Sequence, residues 1–147
     1  MMAGHQIAYR NVASKYYHFH PEDIELAIQD FMAILEKHNY HPTGAIFFAI
    51  LSDPTNEEEM VIQLFLPIME NKFETISEEQ VFFQSYFLIN PMVMTRVTED
   101  FTQQSQVKYW ELFEYLERHN LEQKTPVFVE YKHTHSGRNY IKMSVGM

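Results

Sequence analysis

The 147-residue chain has no cysteine, four glycines and a single tryptophan. Without cysteine there is no disulfide framework, no thiolate metal site and no cysteine nucleophile. Long apolar runs are missing too. The longest, residues 45–51, falls well short of the roughly 20 residues that a membrane helix needs. The opening MMAGHQIAYRNV lacks the basic, apolar and small-residue regions of a secretory signal. These absences point to a cytoplasmic protein with no membrane partner. Positive charge is scarce, with 11 Lys and Arg against 20 Asp and Glu and a formal net charge of −9. Phosphate backbones are bound by clustered bases that release counterions, so nucleic acid is excluded as a partner. No Gly-rich phosphate loop, Gly-x-Ser-x-Gly elbow or His-Glu-x-x-His pair is present, and no cofactor is implied. Ser14, Ser85 and Ser144 read as structural or exposed.

Hydrophobic residues make up 46% of the chain and aromatics 15%, enough for one well-buried core or two half-domains sharing one. An internal repeat organises them. An offset of 81 positions carries Leu35, Glu36, His38, Asn39 and Phe47 onto Leu116, Glu117, His119, Asn120 and Phe128, with Lys37 matched by Arg118. In each copy an amphipathic helix ends at His-Asn, a short polar loop follows, and a β-rich apolar run begins after Thr-Gly or Thr-Pro. A duplicated body tends to leave a crevice at its seam, which is where a ligand is expected.

In the first copy, residues 6–19 suit a long, partly exposed strand with a bulge near Asn11. His20-Pro21-Glu22-Asp23 marks a helix start, with proline and acids at the positive end of the dipole. Ile24, Ala27, Ile28, Phe31, Ile34 and Leu35 follow at spacings of three and four, so one helix face is apolar. Residues 45–51 and 61–68 read as strands, with Ile62, Leu64 and Leu66 on one face and Gln63 on the other. Residues 70–80 read as a link pinned by Phe73 and Ile76. In the second copy, residues 81–97 are β-rich but interrupted at Asn90-Pro91, which predicts two strand pieces or a bulged strand. A helix over 103–120 presents Tyr109, Trp110, Leu112, Phe113 and Leu116 as a broad apolar stripe. Strands over 127–132 and 140–145 close the chain through a glycine-containing turn at 135–138. The expected fold is α+β, a single domain of two β-α-β-β units spanning about 6–69 and 81–146.

Two such units in tandem, each helix ending just before its second strand, resemble the GyrI-like family, the effector-binding domain of bacterial transcription activators. The resemblance covers nearly the whole chain. It implies one curved, mainly antiparallel sheet with two helices against it. It also implies a groove near the pseudo-twofold axis that takes apolar, often cationic, small molecules between aromatic side chains and a buried acid. Some members carry helix-turn-helix domains, some neutralise toxins or inhibit gyrase, and some are hydrolases that use glutamate. Here His18-Phe19-His20-Pro21 stands where members commonly have a glycine, and nothing before Gln6 is long enough for a DNA-binding domain. A stand-alone member is therefore expected.

Glu130 is the sharpest candidate for chemistry. It stands opposite Ala49 in the repeat, inside a strand of Val127, Phe128, Val129 and Tyr131. Period two puts it on the face of Phe128, as Ala49 shares a face with Phe47. An acid in an apolar wall suits cation binding or general acid–base work. The plainer alternative is a solvent-facing strand acid paired with Lys132 or Lys142. Trp110, Tyr109, Tyr140 and Tyr9 could offer ring faces to a ligand, or simply pack. Phe47 lines the matching face, and Met92 and Met94 could line an adaptable pocket or fill core. His18 with His20, and His133 with His135, have the spacing of ligand pairs but no accompanying carboxylate, so no metal is assigned. His38 and His119 read as helix C-terminal caps.

The reading is a ligand-binding protein for a small apolar or cationic molecule held by Glu130 and aromatic neighbours, with enzymatic activity left open but not favoured. One alternative is a protein-interaction role, such as toxin neutralisation, immunity or an accessory chain, through the acidic surface. The other is a small hydrolase using Glu130.

Overall fold

A computed structural model describes residues 1–74 and 76–147, so Thr75 of the 70–80 link lies outside the described residues. The elements are β1 (Met2–Phe19), α1 (Ile24–Lys37), β2 (Phe47–Ile50), β3 (Met60–Pro67), β4 (Phe82–Val97), α2 (Phe101–Arg118), β5 (Val127–His133) and β6 (Asn139–Gly146). They form two compact units. The first is Ala8–Phe87; the second is Leu88–Met147 together with Met1–Ile7. The fold is α+β, and β-α-β-β order holds in both copies. In the first unit β3 pairs antiparallel with both β1 and β2, and in the second β6 pairs antiparallel with both β4 and β5. The last strand of each copy thus lies between its first and second.

The paired His-Asn dipeptides stop the two helices by the same device. Asn39 and Asn120 adopt left-handed φ values of 62° and 54°. Tyr40 N–H donates to Leu35 O at 2.9 Å and Asn39 N–H to Glu36 O at 3.0 Å; Leu121 N–H donates to Leu116 O at 2.8 Å and Asn120 N–H to Glu117 O at 3.2 Å. This is the Schellman pattern, which satisfies carbonyls that the helix end would otherwise leave open. The preceding histidines act as caps. Nδ1 of His38 lies 2.9 Å from Ile34 O and Nδ1 of His119 lies 2.9 Å from Tyr115 O. A carbonyl can only accept, so Nδ1 carries the proton in both rings.

In the first unit α1 buries Ala27, Phe31, Ile34 and Leu35. It lies on the sheet face that carries Tyr17, whose ring meets Phe31 edge-on at 6.4 Å and whose hydroxyl donates to Asp30 Oδ2 at 2.7 Å. Register puts Ile62 and Ile50 on that same face, while Tyr16, Gln63 and Ala49 point away from the helix. Phe73 pins the link as expected, stacked between Tyr40 at 4.6 Å and Phe83 at 5.2 Å, and Ile76 is buried.

Three expectations need correction. The first strand starts at Met2, ahead of Gln6, while the irregularity expected near Asn11 is present as a left-handed residue (φ 57°) inside it. β4 is not split at Asn90-Pro91; a cis peptide bond carries the strand through. Pro91 precedes the 92–97 stretch that pairs with β6, so its missing N–H removes no rung from that ladder. The stripe on α2 is narrower than expected. Leu112 and Leu116 are buried, but Trp110 is 45% exposed. At about 100° per residue, a position two before Leu112 is turned nearly to the opposite side of the helix.

Two outcomes follow. Asn39→Val and Asn120→Val each place a β-branched residue in the left-handed region and should lose about 1–2 kcal/mol in urea unfolding, whereas the glycine replacements should not destabilise. Burial pushes the Tyr17 phenol above its ordinary range, and the hydrogen bond to Asp30 and the charges of Asp30 and Glu79 push it further. Its folded-state contribution is therefore complete below about pH 10, the unfolded value. It is lost as pH rises above that, because the unfolded chain gives up its proton first. Stability measured by urea unfolding should fall with rising pH in this alkaline range, and less steeply in Tyr17→Phe.

Candidate functional site

β5 has residues 127–130 buried in succession. Both faces are covered there, so the strand reads as a continuous apolar run with one acid in it. That acid, Glu130, is 5% exposed. Register aligns it with Lys142 on β6 and, beyond, Arg96 on β4; the adjacent row is Phe128, Ser144 and Met94, and Lys132 stands opposite Tyr140. Directly opposed residues share a face, so these side chains form one surface of the β5–β6–β4 sheet. Met92, paired with Gly146, belongs to it as well.

The opposite surface carries Val127, Val129, Met143, Val145, Val93 and Val97, all buried. Helix α2 packs against β6. The apolar surface is the one a helix can cover without stranding charges, and the first unit has the same layer order, with Ala49, the counterpart of Glu130, facing away from α1. Glu130 therefore faces away from α2.

Its two oxygens have separate partners. Oε1 lies 2.9 Å from His5 Nε2, and Oε2 lies 3.4 Å from Lys132 Nζ. The side chain of His5 is 13% exposed and that of Lys132 is 31% exposed. The sequence alternatives for Glu130 thus combine: it is buried, and it pairs with Lys132, its same-face neighbour two residues on. An ionised carboxylate offers about four acceptor positions, and these contacts use two.

The other candidates fall into three places. Tyr140 and Met92 share the Glu130 face; Tyr140 is half-buried with the Arg96 guanidinium 5.7 Å from its ring centroid, and Met92 is fully buried. Tyr109 and Trp110 sit on α2, where their rings meet at 5.0 Å and each contacts Phe113. Tyr9 and Phe47 lie in the first unit, stacked at 5.3 Å, and Phe47 continues onto Phe65 at 5.0 Å with an interplanar angle of 7°. Of the histidine pairs, His18 Nε2 lies 3.6 Å from Glu59, His20 Nδ1 accepts from Glu22 N–H at 3.3 Å, and His133 bonds Asn139.

Sequence reasoning missed His5 and Arg96, and read Ser144 only as structural or exposed. His5 reaches Glu130 across 125 positions of sequence, and no local pattern marks it. Arg96 joins the face only through the β4–β6 register. Ser144 is fully buried, and its Oγ makes no hydrogen bond among the described residues. A buried hydroxyl left this way costs about 1–3 kcal/mol.

A family model described as "Domain of unknown function (DUF5085)" matches residues 8–147. No curated protein matches the chain. Among solved structures, EcmrR in a DNA complex determined by cryo-electron microscopy is similar, with a TM-score of 0.75 and 14% identity over 98% of this chain. The chain spans only 56% of that EcmrR chain. The crystal structure of the EcmrR C-terminal domain has a TM-score of 0.69 at 11% identity, covering 99% of this chain and 96% of that domain. An uncharacterized conserved protein from Listeria innocua has a TM-score of 0.54 at 12% identity, over 97% of this chain and 92% of its own. At such identities the likeness is one of fold, and it is the fold that the GyrI-like resemblance implies.

Because His5 supplies one of the two close partners of a buried carboxylate, His5→Ala should cost about 1–3 kcal/mol in urea unfolding. The loss should change little with added salt, since a buried pair is weakly screened.

Proposed function

We propose that this chain, which belongs to the DUF5085 family, binds a small molecule with an apolar body and a polar or cationic end, and that the Glu130 face of the second unit receives it. The observation that carries this reading is a carboxylate 5% exposed in a strand wall, with acceptor positions still unused. Burying a charge is expensive, and a buried ion pair stabilises a fold no better than a well-packed apolar side chain of the same size. The first unit fills the equivalent position with Ala49, so the fold itself does not demand an acid there. A role in recognition accounts for keeping one.

In this reading Glu130 accepts from the polar or cationic end of the ligand. Phe128 and the adaptable Met92 and Met94 border it on the same face, and Tyr140 offers a ring to the apolar body. The resemblance to the GyrI-like family supports the same class of ligand. Trp110, the one tryptophan, lies on α2 and serves better as a reporter than as a contact.

The test is thermal unfolding and calorimetric titration against cationic aromatic compounds and their neutral isosteres. A ligand present at about 100 times its dissociation constant adds about 2.7 kcal/mol of stability, a shift of several degrees. Glu130→Gln should weaken the cationic compounds by about tenfold or more, the worth of a hydrogen bond to a charged group, and leave the neutral isosteres within about twofold. Equal affinity of wild type and Glu130→Gln for every cationic compound that binds would refute the assignment.

A further inference from the structure

The Glu130 face carries more positive charge than its single acid balances. Lys142 stands directly opposite Arg96, with Glu130 on its other side and Lys132 one row away. Glu130 already faces His5 and Lys132. Neither Lys142 nor Arg96 forms an ion pair among the described residues; Arg96 rests over Tyr140 instead. Like charges directly opposed on a sheet repel. Although the chain has 20 acidic residues, none of those described lies within ion-pairing distance of either. Ser144 is the next residue of β6 on this face after Lys142, and its buried hydroxyl has no partner among the described residues. Two cations without an ion pair and a hydroxyl without a partner, among the described residues, are thus neighbours on one surface.

We infer that Lys142, Arg96 and Ser144 form an oxyanion subsite, so that the ligand of this face is amphoteric, carrying a carboxylate or phosphate-type group as well as the polar or cationic end held by Glu130. The inference rests on the binding face proposed above. Arg96 presents a planar fork suited to two oxygens of such a group, and the Tyr140 ring beneath it restricts the plane of that fork. Lys142 adds a point charge from the neighbouring strand. An oxyanion between them removes their repulsion, and one that reaches the buried Ser144 hydroxyl gives its proton an acceptor that is missing among the described residues.

The experiment is thermal unfolding of the full chain, titrated with inorganic phosphate and separately with benzoate, ionic strength being held constant with chloride. Wild type should show a saturable rise, and the stronger of the two anions tells a tetrahedral group from a planar one. Lys142→Gln, Arg96→Gln and the double variant should bind the anion about tenfold more weakly or not at all. Their melting temperatures without anion should be unchanged or higher, because the opposed charges are gone. Glu130→Gln should keep the anion response or strengthen it. A wild type that gains nothing from either anion overturns the inference. So does a rise that the double variant shares in full, which is the general effect of excluded salts on folded proteins. Failure of the Glu130 reading would be seen separately, as cationic compounds indifferent to Glu130→Gln.

Discussion

Each helix of this protein ends because one asparagine turns left-handed, and the rest of each unit depends on that turn. The N–H groups at the two positions that follow the histidine cap reach back to the helix's last carbonyls. The histidine ring closes a further carbonyl, four residues before it. The chain is thereby taken off the helix axis within about two residues and released towards the strand that follows. If either turn were lost, the helix end would fray and its last carbonyls would be left open. The register of β5 is held separately, by its pairing with β6 and by the burial of residues 127–130.

This is also why so much of the fold was legible. A left-handed residue that is not glycine is often asparagine, and a histidine ring beside it has a nitrogen placed to donate to the carbonyl four residues back, so the dipeptide recurs where the same turn is built. Hydrophobic periodicity gave α1 correctly, because its buried positions fall at regular spacing. It overstated α2, where Trp110 is apolar but turned outward. Proline at position 91 argued for a break because sequence alone does not tell which rungs a strand uses. Thr75 apart, the link at 70–80 was readable from its two apolar residues, both of which are anchored.

The candidate site was legible only in its centre. An acid within an apolar run is visible in one dimension, and the repeat sharpened it by showing alanine in the other copy. Its surroundings are three-dimensional. His5 is brought in from the far end of the chain, and Arg96 from a different strand, and neither choice leaves a local trace. Composition pointed the other way, since a net charge of −9 suggests an acidic protein throughout. Net charge is a sum over the surface, whereas a ligand meets the charges within about one Debye length, some 8–10 Å. On the β5–β6–β4 rows that carry it, Glu130 stands with Lys132, Lys142 and Arg96.

That local excess bears on why the two units differ at all. Duplicated units tend to keep what the fold requires in both copies and to differ where one copy has acquired a separate task. The Schellman turns, the strand order and the apolar surface towards the helix are held in common. On the surface that faces away from the helix, the first unit has Tyr16, Gln63 and Ala49 in one row, all uncharged, and the second has Arg96, Lys142 and Glu130 in the corresponding row. Three neutral side chains satisfy the same backbone geometry at no electrostatic cost, so the charged row is not a requirement of the architecture. Its charges are unequal in number and incompletely paired, which is unfavourable for a surface that acts alone and useful for one that meets a charged partner. The chemistry of the second unit is best understood as an addition to a scaffold whose first unit records the uncharged solution.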